Sequence, residues 1–271
     1  MRLLVGCSGF SYSAWSGHFY PPELPNSNWL SYYSKVFDFV EIDSTFYRIP
    51  NVVMTRKWSS NTPDDFRFAA KMPGALTHEK RLGEGIDASL RYFYEVMMPL
   101  KEKVASILIQ LPPSLTKSEG FDKFKKMVLD DRFRHALEVR HESWFDDEVY
   151  EYLKQNNICL AWSQLAELRT PPVLTTDFAY LRLIGYHSIP DSIFGKVRSD
   201  RVKELRYWAS QLKRVKGVGS MRLGIVAANN HYAGFGAATA NTFRKMIDLP
   251  EGFYYKKAQF NQSTLLDYQS D

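Results

Sequence analysis

Short apolar runs recur along the chain, and each breaks off in polar or turn-forming residues. Leu3 to Cys7 ends in Ser8-Gly9-Phe10-Ser11-Tyr12, Phe66 to Met72 in Pro73-Gly74, and Ala105 to Leu111 in Pro112-Pro113. Phe39 to Asp43, the stretch opening at Phe133, Ile158 to Trp162, Phe178 to Ile184 and Leu223 to Ala228 behave alike. Runs this short with such boundaries predict β-strands. Between them, apolar residues recur at helical spacing from Trp29 to Val36, Val53 to Ser60, Ala88 to Lys101, Phe121 to Leu129, Asp146 or Asp147 to Gln155, Asp200 to Val215 and Ala238 to Ile247. The sixth interval is different. It carries Pro171-Pro172 and predicts no helix before Asp177.

Strands alternating with helices imply parallel βαβ units. Eight strands in 271 residues match a (β/α)8 TIM-type barrel in count and size, with the sixth α unit weak or irregular. An open doubly wound sheet is the alternative, because pattern alone does not prove closure. No linker-like composition shift or repeat appears, so residues 1–271 are expected to form one barrel domain.

The strand ends carry the candidate chemistry, since barrels of this kind place their sites on the loops after the strands. Around Phe133 to Phe145, Ala136, Glu138 and Arg140 share one strand face while Leu137 and Val139 share the other. Glu41 and Asp43 end the second strand, Lys71 the third, Gln110 the fourth, Arg182 the seventh, and Asn229 and Asn230 the eighth. Glu41, Asp43 and Glu138 are the candidate catalytic carboxylates, because neighbouring cations and carboxylates can split their proton affinities. Lys71, Arg140 and Arg182 suit an anionic group, with Gln110, Asn229 and Asn230 as polar contacts. Gly236, in the glycine-rich turn before the last helix, suits a phosphate, and Tyr47 and Trp144 a stacked ring or sugar face. A purely structural ion-pair layer would use the same charged residues, at little gain in stability.

Four histidines follow strands: His78, His141, His187 and His231. His78 and His141 are counted among the substrate-binding candidates. A divalent metal is a weaker reading, because no HxH or HExxH spacing supports it, and no ligand set is assigned. GxSxG, GxGxxG and Walker signatures are absent, which sets those enzyme classes aside.

Net charge is +5, mildly basic and well short of a DNA-coating protein. Lys196, Arg198, Arg201, Lys203 and Arg206, then Lys213, Arg214 and Lys216, flank Tyr207 and Trp208 and keep a nucleic-acid contact open. Cys7 and Cys159 lack CxxC partners and read as buried thiols in a reducing compartment. With no signal-like leader and no apolar run near membrane length, a cytoplasmic protein without membrane contact is expected.

Several stretches together resemble the YecE-like family, domain of unknown function 72: Val5-Gly6-Cys7-Ser8-Gly9-Phe10-Ser11-Tyr12 with Trp15 and Phe19-Tyr20-Pro21; Val40-Glu41-Ile42-Asp43-Ser44-Thr45-Phe46-Tyr47; Thr62-Pro63-Asp64-Asp65-Phe66-Arg67-Phe68 with Lys71; Thr77-His78; Gln110-Leu111-Pro112-Pro113; Glu138-Val139-Arg140-His141 with Ser143-Trp144; and Tyr180-Leu181-Arg182. The resemblance implies a TIM-type barrel and brings no established activity. Asp43 stands where that pattern usually has Asn, Ile184 where a His commonly follows the strand-seven Arg, and Trp162 where strand six commonly ends in Asp. The expected function is hydrolase- or isomerase-like acid–base chemistry on a small anionic, phosphorylated or polyhydroxylated molecule. Nucleic-acid processing and non-catalytic ligand binding are the alternatives.

Overall fold

The structure, a computed structural model, describes residues 1–255 except His187, Val218 and Ser220. Among them are nine parallel strands: β1 (Arg2–Ser8), β2 (Phe39–Ile42), β3 (Arg67–Lys71), β4 (Val104–Gln110), β5 (His135–Glu138), β6 (Ile158–Leu160), β7 (Trp162–Leu165), β8 (Phe178–Gly185) and β9 (Leu223–Ala228). They run in the order β6-β5-β4-β3-β2-β1-β9-β8-β7. The two ends of this series are consecutive in the chain, separated only by Ala161. The first half of the sixth strand pairs with β5 and the second half with β8, which brings the sheet round into a nearly closed α/β barrel.

The interruption has a local cause. Thr175 Oγ1 accepts from the Leu160 amide at 2.8 Å and donates to the Ile158 carbonyl at 2.7 Å, occupying the edge where a neighbouring strand would bind. Thr170 Oγ1 accepts similarly from the Ser163 amide. Both threonines belong to the proline-containing segment, which forms no helix here.

Alternation along the strands sorts the core into two layers. Leu4, Phe39, Ala69, Leu108, Ala136, Cys159, Phe178, Tyr180 and Ile225 fill the barrel interior. Val5, Val40, Phe68, Ile109, Leu137, Leu160, Leu181 and Val226 face the surrounding helices. Those helices are α1 (Trp29–Val36), α2 (Ser44–Tyr47), α3 (Val52–Ser60), α4 (Asp87–Met97), α5 (Lys117–Lys125), α6 (Asp147–Gln155), α7 (Val202–Gly217), α8 (Asn230–Ala233) and α9 (Gly236–Met246). The helix expected from Phe121 to Leu129 starts a turn earlier, at Lys117, whose amide donates to Ser143 Oγ. Gly120 hides that start, because it looks like a breaker. A Cβ there would lie 2.9 Å from both Leu115 and Trp144, so the glycine is what lets the helix pack closely. No helix among the described residues is long and apolar enough to cross a membrane.

Candidate functional site

Polar residues replace apolar ones in the last inward-facing layer before the loops. Arg182 stands at its centre, 1% exposed. Its Nε donates to Glu41 Oε2 at 2.8 Å and its Nη2 to Glu41 Oε1 at 2.6 Å. Its Nη1 donates to Glu138 Oε2. Tyr180, one inward position earlier on β8, donates its hydroxyl to Glu41 Oε2 at 2.6 Å. Glu138 also accepts from Arg140 Nε at 2.8 Å and Gln110 Nε2 at 3.2 Å.

These contacts decide the charge states. Burial would push both carboxyls up, but Arg182's charge, with Ser8 and Tyr180 at Glu41 and Arg140 at Glu138, holds each below its ordinary value. Burial works against the Arg182 guanidinium too, yet Glu138 and Glu41 outweigh it and keep it protonated. Both glutamates are fully buried and engaged on both oxygens. Both carboxylates hold Arg182, and neither has an oxygen without a hydrogen-bond partner. The space between them is filled by its guanidinium.

Above this floor opens a cavity of about 560 Å³, lined by Asp43, Lys71, His78, Gln110, Arg140, Arg182 and Asn229 among others. Asp43 reaches it because β2 ends at Ile42 and the chain turns there into α2, instead of continuing the strand as expected. Ser8 Oγ lies 2.5 Å from Glu41 Oε1 and 2.6 Å from Asp43 Oδ2, bridging floor and cavity. Lys71 Nζ sits 3.5 Å from Asp43 Oδ1 and 4.2 Å from the centre of the Phe46 ring. Burial lowers the proton affinity of Lys71, and Asp43 only partly restores it. His78, with Thr77 Oγ1 at 2.8 Å from Nδ1, is pushed down to about 4 by burial and by the Arg140 and Lys71 charges, so its ring is neutral at pH 7. Arg140 uses only Nε toward Glu138, leaving both Nη groups without a protein hydrogen bond among the described residues.

Four candidates lie elsewhere. Trp144 is fully buried, donating Nε1 to the Leu115 carbonyl at 2.8 Å, and cannot stack on a ligand. Asn230 is 1% exposed, its Oδ1 accepting from Trp15 Nε1 and the Gly236 amide. That amide is thus not free for a phosphate, and a Cβ at Gly236 would lie 2.8 Å from the Ala228 carbonyl, so the glycine serves packing. His141 accepts from the Ser143 amide and caps the Glu142–Trp144 turn outside the cavity. Tyr47 stands on the rim, 84% exposed. His187 lies outside the described residues.

Phe10, Tyr12, Asp191 and Phe194 also line the cavity, as do Phe46 from α2 and His231 from α8; of these, only His231, one of the histidines that follow strands, is weighed as a candidate ligand group on the sequence. Of the expected nucleic-acid contacts on α7, Trp208 is fully buried against Trp162 and Tyr207 packs on Arg169, while Lys203, Arg206, Lys213, Arg214 and Lys216 form the helix's solvated face.

Barrel and mouth together define an α/β barrel whose polar centre lies at the C-terminal ends of its strands. The chain belongs to the family described as "Protein of unknown function DUF72", whose model matches residues 4–262. It is 28% identical over 207 residues to the UPF0759 protein YunF of Bacillus subtilis, covering 68% of this chain and 70% of YunF. It is 30% identical over 117 residues to the UPF0759 protein YecE of Escherichia coli, 43% of either chain. A DUF72 family protein of Thermotoga maritima superposes with a TM-score of 0.75 at 29% identity, covering 92% of this chain and all of that one. A DUF72 family protein of Enterococcus faecalis, 20% identical, shares the fold with a TM-score of 0.71 over 92% of this chain and 96% of that one.

Proposed function

We propose that this protein is an acid–base enzyme for a small polyhydroxylated substrate bearing an anionic group. One observation carries the reading: Arg140 lines the cavity with both Nη groups free of protein hydrogen bonds among the described residues, while the carboxylate beside that guanidinium is already committed to Arg182. A guanidinium edge held this way suits bidentate capture of a carboxylate or phosphate. The cavity volume falls in the range of small-molecule sites. Asp43 and Lys71, in contact with each other and facing the same space, form the proton-transfer pair. Gln110, Asn229 and the neutral His78 supply hydrogen bonds to hydroxyl groups.

Calorimetric titration with orthophosphate and ribose 5-phosphate tests this. Both ligands should bind, and Arg140→Ala should weaken each by about tenfold or more, the loss of a charge-assisted pair. Equal affinity in the variant, or no binding by the parent protein, would overturn it.

A further inference from the structure

Two lysines are buried to the same degree, 8% exposed, and they are held very differently. Lys103 Nζ donates to the Ser59 carbonyl at 2.7 Å, the Thr62 carbonyl at 2.8 Å and Thr62 Oγ1 at 3.4 Å, which is how a structural ammonium is satisfied. Lys71 Nζ makes no protein hydrogen bond among the described residues. Its neighbours are the Asp43 carboxylate at 3.5 Å, the Phe46 ring and the cavity. An amine left without fixed partners, screened from water on one side by an aromatic face and open to a cavity on the other, is arranged to react.

We infer that Lys71 forms a Schiff base with an aldehyde or ketone bound in the mouth, making the substrate class an open-chain carbonyl compound. This deepens the proposed function and rests on the same cavity. In the first step Asp43 takes a proton from the Lys71 ammonium, releasing the nitrogen lone pair. Nζ then adds to the carbonyl carbon, the C=O π electrons move to oxygen, and a proton passes from nitrogen to that oxygen to give the carbinolamine. Asp43 next returns its proton to the hydroxyl, which leaves as water while nitrogen's lone pair forms the protonated imine. Nothing is oxidised or reduced, and Asp43 ends as the carboxylate it began as. The depressed proton affinity of Lys71 agrees with this role.

The test uses the full chain with sodium cyanoborohydride at pH 7.5 and two probes, propanal and glyceraldehyde 3-phosphate, followed by peptide mass mapping. Reductive alkylation at Lys71 should exceed that at the exposed Lys213 by about tenfold or more, because Lys71 is the amine held without fixed partners between an aromatic face and the cavity. Lys71→Arg, which keeps the charge but cannot form an imine, and Lys71→Met should both lose that adduct. Propanal carries no anion, so its selectivity for Lys71 tests the amine alone. If propanal labels Lys71 selectively and glyceraldehyde 3-phosphate gains nothing over it, the Schiff base stands and the anion-binding reading falls. Labelling of Lys71 no faster than Lys213 with both probes would overturn the inference, even where calorimetry shows that the phosphorylated probe binds.

Discussion

Arg182 meets Glu41 edge-on, with two guanidinium nitrogens 2.8 and 2.6 Å from the two carboxylate oxygens, both side chains shut away from solvent. A buried pair like this returns little stability over apolar packing, but removing one partner strands the other. Arg182→Met should therefore destabilise the chain by about 3–5 kcal/mol, leaving Glu41 and Glu138 buried together without their common cation. Adding Glu41→Gln and Glu138→Gln to that variant should recover much of the loss, because the three residues act as one network. Urea denaturation of the single and triple variants measures this. Additive losses would mean the three side chains are independent.

Trp144 sits in sequence beside Glu138 and Arg140 but belongs to the outer packing layer, against Leu115, Gly120 and Phe121. Trp144→Ala should cost about 3–5 kcal/mol of stability, as for other large-to-small core changes. Affinity for orthophosphate in the folded fraction should stay unchanged. Weakened binding with normal stability would return the indole to the site.

These two cases mark what the sequence could reveal. Strands were legible because alternation survives wherever one strand face meets the interior and the other meets helices. Ala136 and Glu138 face inward, and Leu137 and Val139 outward. Depth within the mouth was not legible. Glu41 and Asp43 stand two residues apart, and only the turn into α2 at Asp43 lifts one carboxylate into the cavity while the other stays beneath it. Trp144 looked available because its partners Leu115 and Gly120 are far off in sequence. The split sixth strand depends on two threonine hydroxyls that no period in the sequence announces.

At the opposite end of β5, His135 is 5% exposed, with its Nε2 2.8 Å from the Tyr94 hydroxyl. Burial pushes its proton affinity down from 6.5 to about 4. As pH falls, the unfolded chain takes up this proton first, so the contribution to stability is complete above pH 6.5 and declines from there toward pH 4. The loss by pH 5 should be about 2 kcal/mol from this residue, and His78 adds a term of the same sign. Unfolding at pH 7 and pH 5 should show a smaller pH effect in His135→Asn than in the parent. An equal effect in both would exclude His135 as the source.

The carboxylate of Asp43 does two things to Lys71 that can be separated. Its negative charge favours the ammonium, so Asp43→Asn should lower the amine's proton affinity further and move the onset of Lys71 alkylation by propanal to lower pH. The same substitution removes the carboxylate that can carry a proton from nitrogen to the carbinolamine oxygen, a transfer needed even when the free amine attacks, so the limiting rate at high pH should fall, by about tenfold to a hundredfold or more for a lost general acid–base. A change in charge alone would move the onset and leave the plateau; a change in packing alone would do the reverse. Ser8 provides the control. Ser8→Ala cuts the bridge between Asp43 and Glu41 but keeps the Asp43–Lys71 contact, so it should leave the onset near its original pH. Rates of cyanoborohydride alkylation across pH 5 to 10, read by mass mapping of the Lys71 peptide, distinguish these outcomes. An onset that rises in Asp43→Asn would mean that this carboxylate does not govern the amine.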